Sequence, residues 1–448
     1  MAAEDLLAVG DRVVARARPG EQLEAVVVRS TDTEIKVYEG EVESLSSAQA
    51  QGVGIRVVVD HRQGFAYAGS LDDDVLDETL DEARDNAGFG TPDEALGLAE
   101  PDGVEPAELD LWREALTTVP TADKVALALE LERVVRAADP RITGIESAEY
   151  VDSASESAVV TTTGIRRASR DTSCYVATYA LASERGETQT GFGFSVGREP
   201  GELDVARAAA DAAARATRML GATKPGTERL TVVLDPWVTA QLLGIVAWTL
   251  NGEAVLKGRS LFADRLGEAV AAPCVTIVDD PTDPAAYTAT ELDGEGLATR
   301  RNVLVAEGVL RMFVHNAYTA RRMGTRPTGS AVRSFKSTPG VGCLATSLRP
   351  GSRSQAELVA EVGEGILVRE VSGLHSGVNP VSGDVSTGAE GLRIRGGELA
   401  EPLREFTIGS TLQRMLLDVQ AVGADLQWLP MSAAGVSLVV ADVTVSGA

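Results

Sequence analysis

Histidine and cysteine are scarce in this sequence, with three of each among 448 residues. Cys174, Cys274 and Cys343 lie far apart, and no C-x-x-C pair occurs. No two histidines have the i, i+4 spacing that places two imidazoles on one helix face around zinc. A disulfide framework and a structural zinc site are therefore not expected, and this cysteine usage predicts a reducing, cytoplasmic compartment.

Positively charged residues are also few: the sequence has 41 Lys and Arg against 66 Asp and Glu, which gives a formal net charge of -25. Such a surface serves solubility and repels phosphates, so binding to nucleic acid or to a membrane surface is not expected. The N-terminus lacks the basic and apolar segments of a secretory signal. The longest uncharged stretch, residues 236–252, is shorter than the about 20 apolar residues of a bilayer span. It predicts a buried core helix.

Two common catalytic motifs are missing. A P-loop is excluded because no Gly-Lys-Ser/Thr triplet occurs. Residues 191–197 (GFGFSVG) look like a phosphate-binding loop, but they lie within a predicted strand and no predicted helix follows them directly. The G-x-S-x-G motif of serine hydrolases is absent too, since Ser376 in GLHSG has the wrong spacing. Nucleotide binding and serine hydrolysis are therefore not expected.

The N-terminal half, residues 1–223, has the pattern of an α+β lobe that opens with a β-meander. Short β-branched runs occupy residues 24–30, 34–39, 42–50 and 55–60, and turn-like residues separate them: Asp32, Gly40, Gly52 and Gly54. Helical apolar spacing begins at Ser70, with an N-cap oxygen there, and again at Thr121 and near Asp204. Strand patterns fill residues 142–196.

A second domain, residues 224–448, is predicted after Lys224-Pro-Gly-Thr, because 448 residues are too many for one ordinary core. Its pattern is that of a mixed-sheet domain in which strand 229–234 leads directly into the buried helix. Gly-containing turns at 307–308 and 396–397 predict two hairpins. A helix over 411–422 and a strand over 436–445 complete the domain.

Residues 373–391 form a glycine-dense segment after a β run, with five glycines in nineteen positions. Such a segment lets another chain approach closely, although a flexible surface loop is the alternative. Asn379-Pro380 and Ser382-Gly383-Asp384 favour defined turns. We expect His375 to hydrogen-bond a substrate or a neighbouring turn rather than a metal. His61 is expected in a turn, and His315 in a local hydrogen bond.

Four ordered segments of the second domain resemble motifs of the TldD/PmbA family of metallopeptidases, in its TldE-type branch. They are residues 292–300 (LDGEGLATR) with 304–310, residues 316–324 (NAYTARRMG), the glycine-dense segment, and residues 405–412 (EFTIGSTL) with 422–426 (VGADL). The N-terminal half fits the family only in its general layout.

The resemblance implies that this chain lacks the family's metal site. Catalytic TldD chains carry H-E-x-x-x-H on a helix of the second domain and a cysteine near the C-terminus. The hexad corresponds here to residues 243–248 (LGIVAW), so Leu243, Gly244 and Trp248 stand at the positions of the two histidines and the glutamate. No cysteine follows Cys343. We therefore expect no catalytic residue and no cofactor in this chain, with zinc in a TldD-type partner.

The function that the resemblance implies is that of a TldE/PmbA-like subunit, which helps to enclose a cleft where a TldD-type partner cuts unfolded or ribosomally made peptides. A dimer, hetero or homo, formed mainly through the second domain is expected. The candidate cleft residues are Gly373, His375, Ser376, Gly377, Asn379, Ser382, Gly383 and Asp384. Two alternatives remain: a relative repurposed in secondary metabolism that acts on an amide-type bond, and a non-enzymatic homodimeric peptide-binding protein.

Overall fold

The computed structural model describes residues 3–447. Its helices are α1 (Ala3–Val14), α2 (Asp73–Phe89), α3 (Glu114–Thr118), α4 (Thr121–Ala138), α5 (Val205–Arg218), α6 (Pro236–Thr249), α7 (Gly252–Leu256), α8 (Ala317–Arg322), α9 (Gln355–Val362), α10 (Leu374–Gly377) and α11 (Leu412–Leu417). Its strands are β1 (Gln22–Tyr38), β2 (Glu41–Val59), β3 (Arg62–Ala68), β4 (Ile142–Thr161), β5 (Arg166–Glu184), β6 (Glu187–Gly197), β7 (Glu228–Leu234), β8 (Ile277–Asp279), β9 (Asn302–Ala306), β10 (Val309–Leu310), β11 (Ala331–Val332), β12 (Gly340–Val341), β13 (Thr346–Leu348), β14 (Gly365–Ser372), β15 (Asp384–Arg395), β16 (Glu398–Thr411), β17 (Val419–Val422) and β18 (Leu438–Ser446). The predicted α+β class is confirmed. No helix within the described residues has the length and apolar character that crossing a bilayer requires.

The N-terminal sheet is antiparallel, in the order β3-β2-β1-β4-β5-β6. The apolar side chains that alternate along its strands pack on one face against α1 and α2 and, further along, against α4 and α5. The predicted meander is confirmed, but its strands are longer than the sequence indicated. Asp32 is not in a turn, because it pairs with Ala48 and Ser153 in the middle of the sheet.

The predicted turn at Gly52 and Gly54 is also wrong, since both glycines lie inside β2. A Cβ on Gly52 would stand 2.2 Å from the ring of Phe335, and one on Gly54 would stand 2.3 Å from the Phe335 carbonyl oxygen. These glycines therefore allow a loop of the C-terminal half to lie directly on the strand. Ser70 does not cap a helix either: α2 begins at Asp73, and Asp72 is the N-cap residue.

The C-terminal half contains a mixed six-stranded sheet, β16-β15-β14-β7-β18-β17, in which β16 also pairs with β18. The predicted hairpins are confirmed: positive φ angles at Glu307 and Gly308 turn β9 into β10, and Gly396 and Gly397 do the same between β15 and β16. The helix predicted over 411–422 ends at Leu417, because the chain then enters β17.

A buried group of charged side chains joins the two halves. The Arg56 Nη2 atom on β2 lies 2.7 Å from Glu24 Oε2 on β1 and 3.6 Å from Glu295 Oε1 in the C-terminal half. Arg333, also from the C-terminal half, donates to the second oxygen of Glu24. All four side chains are at most 4% exposed. The LDGEG motif that carries Glu295 therefore has a structural role at this junction.

Asp293 of the same motif adds a third carboxylate to the group. It accepts backbone N–H bonds from Leu297 at 3.0 Å and from Ala331 at 3.0 Å. Burial, followed by the nearby Glu295 charge, raises the pKa of Asp293 to about 7. Burial also raises the pKa of Glu295. Of the three buried carboxylates, Glu24 and Glu295 contact the guanidinium groups, whereas Asp293 is held by backbone N–H groups, which favours retention of a proton on Asp293.

A proton held by Asp293 predicts a pH-dependent stability. Between the ordinary Asp pKa of 3.8 and about 7, the folded chain binds a proton that the unfolded chain releases. This group's contribution therefore falls as the pH rises through that window. Glu295→Gln removes one negative charge and lowers the pKa of Asp293, so the variant should gain stability relative to wild type as the pH rises. Melting temperatures measured from about pH 5 to about pH 8 test this. Glu398→Gln, at an exposed position, is the control, and an unchanged difference between E295Q and wild type would contradict the prediction.

Candidate functional site

Helix α6 forms one wall of the candidate site. Asp235 begins it by accepting the N–H of Trp237 at 3.1 Å, and Pro236 fits the first helical turn because its missing N–H has no partner there. The predicted burial is confirmed for most of the helix, whose apolar side chains enter the core of the C-terminal half. One stripe stays open and consists of Trp237, Gln241, Gly244, Ile245 and Trp248.

The loop between β14 and β15 forms the facing wall. Asn379 Oδ1 accepts the N–H groups of Val381 at 2.9 Å and Ser382 at 3.1 Å. Ser382 Oγ donates to Asp384 Oδ2 at 2.6 Å, and the Gly383 N–H donates to the Asn379 carbonyl at 2.8 Å. The predicted defined turns are therefore confirmed. Residues 384–391 are not loop, as the glycine density suggested, but part of β15.

Two glycines of this loop are required by the chain's own packing. A Cβ on Gly377 would lie 2.4 Å from the Ser386 carbonyl oxygen of β15. Gly383 has φ +85, and its Cβ would lie 2.0 Å from Gln413 Oε1. The glycines thus accommodate the neighbouring strand and helix, whereas the sequence suggested approach by another chain.

An open cleft of ≈ 480 Å³ lies between the two walls. Its lining residues are Gln241, Gly244, Ile245, Trp248, Leu374, His375, Val378 and Pro380. Three residues singled out in the sequence, Gly244, Trp248 and His375, therefore meet in one place although 131 positions separate Gly244 from His375 (375 − 244). The cleft is mainly apolar, with the Gln241 amide and the His375 imidazole as its polar side chains.

The other candidate residues lie behind this lining. Leu243 is only 4% exposed and packs in the core, so it faces away from the cleft. Ser376 Oγ donates to the Gly373 carbonyl at 3.2 Å, within the turn of α10. Gly377, Asn379, Ser382, Gly383 and Asp384 maintain the shape of the loop through the contacts described above. Their effect on the cleft is to position Leu374, His375 and Val378.

The donor set of the cleft does not fit zinc. Zinc requires about three protein ligands from imidazole, thiolate or carboxylate groups, and His375 is the single such side chain in the lining. Within residues 3–447, no three His, Cys, Asp or Glu side chains converge in a way that could hold a metal ion. Cys343 Sγ lies 3.7 Å from the Ala247 carbonyl of α6, and burial raises the pKa of its thiol, which suppresses the reactive thiolate.

The other two histidines lie outside the cleft. His315 is buried, its Nδ1 lies 3.3 Å from Thr319 Oγ1, and burial lowers its pKa to about 4. The predicted local hydrogen bond is confirmed. His61 occupies the turn between β2 and β3 with φ +59, as predicted.

An aromatic cluster next to the cleft was not predicted. The ring centroids of Phe192 on β6 lie 4.8 Å from those of both Tyr179 and Trp237, and Phe194 lies 6.0 Å from Trp237. The cluster extends the open stripe of α6 onto the N-terminal sheet. The alternation of glycine and phenylalanine in residues 191–194 (GFGF) could have predicted this cluster. A Cβ on Gly191 would lie 2.2 Å from the Ala212 carbonyl of α5, so the glycines face the helix. The phenylalanines therefore lie on the opposite face of β6.

The lining of the cleft thus lacks the residues of a metal centre. Sequence models of the PmbA/TldA metallopeptidase family match residues 23–87 (domain 1), 114–220 (central domain) and 227–447 (C-terminal domain). The chain belongs to this PmbA/TldD family.

Individual relatives agree with this assignment. The chain is 26% identical over 407 residues to metalloprotease PmbA of Escherichia coli O157:H7, covering 90% of this chain and 88% of that protein. It is also 26% identical over 425 residues to a metalloprotease TldD homolog of Haemophilus influenzae, covering 89% and 87%. The crystal structure of TldE from Thermococcus kodakarensis has the same fold, with a TM-score of 0.90 at 24% identity and 100% coverage of both chains.

Proposed function

We propose that this chain is the non-catalytic, TldE/PmbA-like subunit of a peptidase complex, and that it supplies one side of the substrate cleft to a zinc-bearing TldD-type subunit. The observation that carries the proposal is the cleft itself. Gly244 and Trp248 line its wall, and neither side chain can bind zinc or accept a proton. The family resemblance implies that metal-site residues occupy these two positions in TldD chains.

The shape and chemistry of the cleft suit an extended peptide. The α6 residues that line the cleft run from Gln241 to Trp248, a rise of roughly 10 Å, which matches about three residues of an extended chain. Apolar walls favour apolar side chains of the substrate, while the Gln241 amide can bond its backbone. Unfolded and ribosomally made peptides expose both kinds of group. Binding of this sort does not demand a particular sequence.

A peptide-binding homodimer without a catalytic partner is a second candidate, because the apolar cleft would serve it equally well. The two functions can be distinguished by adding a TldD-type chain with an H-E-x-x-x-H helix to the purified protein. A subunit forms a stable dimer with that chain, whereas a self-sufficient binding protein does not.

The chain alone is expected to bind no stoichiometric zinc and to hydrolyse no peptide, because its cleft lacks metal ligands. Mixed with a TldD-type chain, it should form a heterodimer that cleaves unfolded peptides and holds zinc in the partner. Elemental analysis, light scattering and a peptide-cleavage assay measure the three properties. One tightly bound zinc per copy of this chain, lost to a chelator together with activity, would refute the proposal.

A further inference from the structure

The aromatic cluster lies on the face of the N-terminal sheet that the helices leave uncovered. On β5, Val176 and Ala180 pack against the helices, so Tyr179 lies on the opposite face, because successive side chains of a strand alternate. Tyr179 pairs across the sheet with Phe192, whose ring also lies 4.8 Å from that of Trp237 on α6. Tyr179 is 36% exposed. The cluster therefore continues the cleft from α6 onto the sheet and stays partly open to solvent.

Carboxylates surround this part of the sheet. After burial, the charges of Glu370, Glu146 and Glu149 raise the pKa of the Tyr179 phenol. Glu370 belongs to β14 of the C-terminal half, and the other two belong to β4. Glu149 pairs with Ala177, which places it diagonally across from Tyr179 on the same face of the sheet. None of these three carboxylates accepts a hydrogen bond or forms a salt bridge within residues 3–447.

Glu370 also faces a like charge. Its partner across the strand pair is Glu390 on β15. Burial, followed by the Glu390 charge, raises the pKa of Glu370. Like charges directly opposite each other destabilise a sheet. A cation brought by a ligand would offset this repulsion.

The cations that act on these carboxylates already have partners. Arg215 acts on Glu370, but its Nη2 atom lies 3.3 Å from Asp235 Oδ1. Lys36 acts on Glu149, but its Nζ atom lies 3.2 Å from Glu34 Oε1. The carboxylates beside the aromatic cluster thus remain without a salt-bridge partner of their own.

We propose that the aromatic cluster and these carboxylates bind a cationic side chain, Lys or Arg, of the peptide whose apolar residues occupy the cleft. An aromatic ring attracts a cation that lies within about 6 Å of its centroid, and unpaired carboxylates add to that attraction. The net charge of -25 attracts basic peptides from a distance as well. The inference rests on the proposed function in one respect, that the ligand is a peptide.

Helix α6 sets the spacing between the two parts of this peptide. Trp237 in the aromatic cluster and Ile245 in the cleft are 8 helical positions apart (245 − 237). Their separation along the helix is roughly 12 Å, which matches about four residues of an extended chain. The preferred peptide therefore carries Lys or Arg about four positions from a large apolar residue.

Binding to the full chain alone tests this spacing. The probes are peptides with a single Leu and with Lys about four positions before or after it. One comparison peptide replaces Lys with norleucine, which keeps the apolar stem without the ammonium group. Another places Lys next to Leu, which keeps the composition and the charge. In isothermal titration calorimetry, one of the two Lys peptides should bind about tenfold more tightly than both comparison peptides.

Two variants separate the aromatic ring from the charge. Phe192→Leu keeps an apolar side chain but removes the ring, and Glu370→Gln removes the charge with little change in shape. Each should lower the preference for Lys over norleucine by about threefold. Continued binding of the norleucine peptide shows that each variant is folded. Glu398→Gln, at an exposed position, is the control and should keep the full preference.

Several results would overturn the inference. They are equal affinities for the Lys and norleucine peptides, a preference that does not depend on the position of Lys, no binding of any of these peptides, and a full preference retained in either F192L or E370Q. A position-independent preference would show that the net charge alone attracts the peptide. Failure of the chain to pair with a TldD-type subunit would refute the subunit role and leave these affinities unchanged, so the two failures are distinguishable.

Discussion

Replacing Arg56 with methionine is expected to lower the free energy of unfolding by about 3–5 kcal/mol, the cost of breaking a buried ion pair by removing one partner. Arg56 is 4% exposed and contacts Glu24 and Glu295 from the two halves of the chain. Without its guanidinium group, Glu295 loses the cation in contact with it. Urea unfolding measures the change, and limited proteolysis should show an earlier separation of the halves.

A matched substitution at the surface distinguishes burial from charge. Arg395 pairs with Glu401 at 2.5 Å, but the two side chains are 57% and 41% exposed. Arg395→Met should therefore cost less than about 1 kcal/mol. Adding Glu295→Gln to Arg56→Met should recover part of the larger loss, because it removes the carboxylate left without Arg56. Equal costs for R56M and R395M would show that the junction does not hold the halves together.

Replacing Trp248 with alanine should raise the KM of the assembled complex for an apolar peptide by about tenfold, the effect of losing one well-placed aromatic contact. The Trp248 ring lines the cleft and is 46% exposed in the chain alone. In the proposed complex Trp248 lies on the binding wall rather than at the zinc centre of the TldD-type partner, so kcat should change less than KM. Initial rates over a range of peptide concentrations separate the two constants.

Phe89→Ala is the control for this experiment, because the Phe89 ring is 90% exposed and does not line the cleft. His375→Ala should also reduce activity by removing a polar group from the lining. Gly383→Val should reduce it by forcing a β-branched residue into positive φ beside Gln413, which displaces the loop. Complexes of W248A, H375A and G383V that assemble and cleave at the wild-type rate would show that the cleft is ordinary surface.

Local pattern accounted for much of this fold. The uncharged stretch that became α6 and the hairpin turns at 307–308 and 396–397 depend on neighbouring residues alone. A turn that needs positive φ selects glycine, and a helix inside a core selects apolar residues on most of its faces. The lack of a histidine pair with zinc-binding spacing was equally visible in the residue types.

The glycines show which features of the fold the local sequence pattern could not predict. Gly396 and Gly397 make a turn, as predicted. Gly52 and Gly54 have the same residue type between similar β runs, yet they lie in a strand and leave room for Phe335, almost 300 positions away. The sequence shows where a glycine stands. It does not show whether the glycine is needed for a positive φ angle or for close contact with a residue that is distant in the chain.

The sequence by itself determined which residues can and cannot perform chemistry here, because the presence of an imidazole, a thiol or a carboxylate is a property of the residue alone. It also determined which faces of strands and helices are apolar, since those follow from the period of each element. The tertiary structure decided what meets each face. It brought Trp248 to His375, turned Leu243 into the core and joined Glu295 to Arg56. Contacts between distant segments depend on how the elements pack and not on the local pattern of either segment.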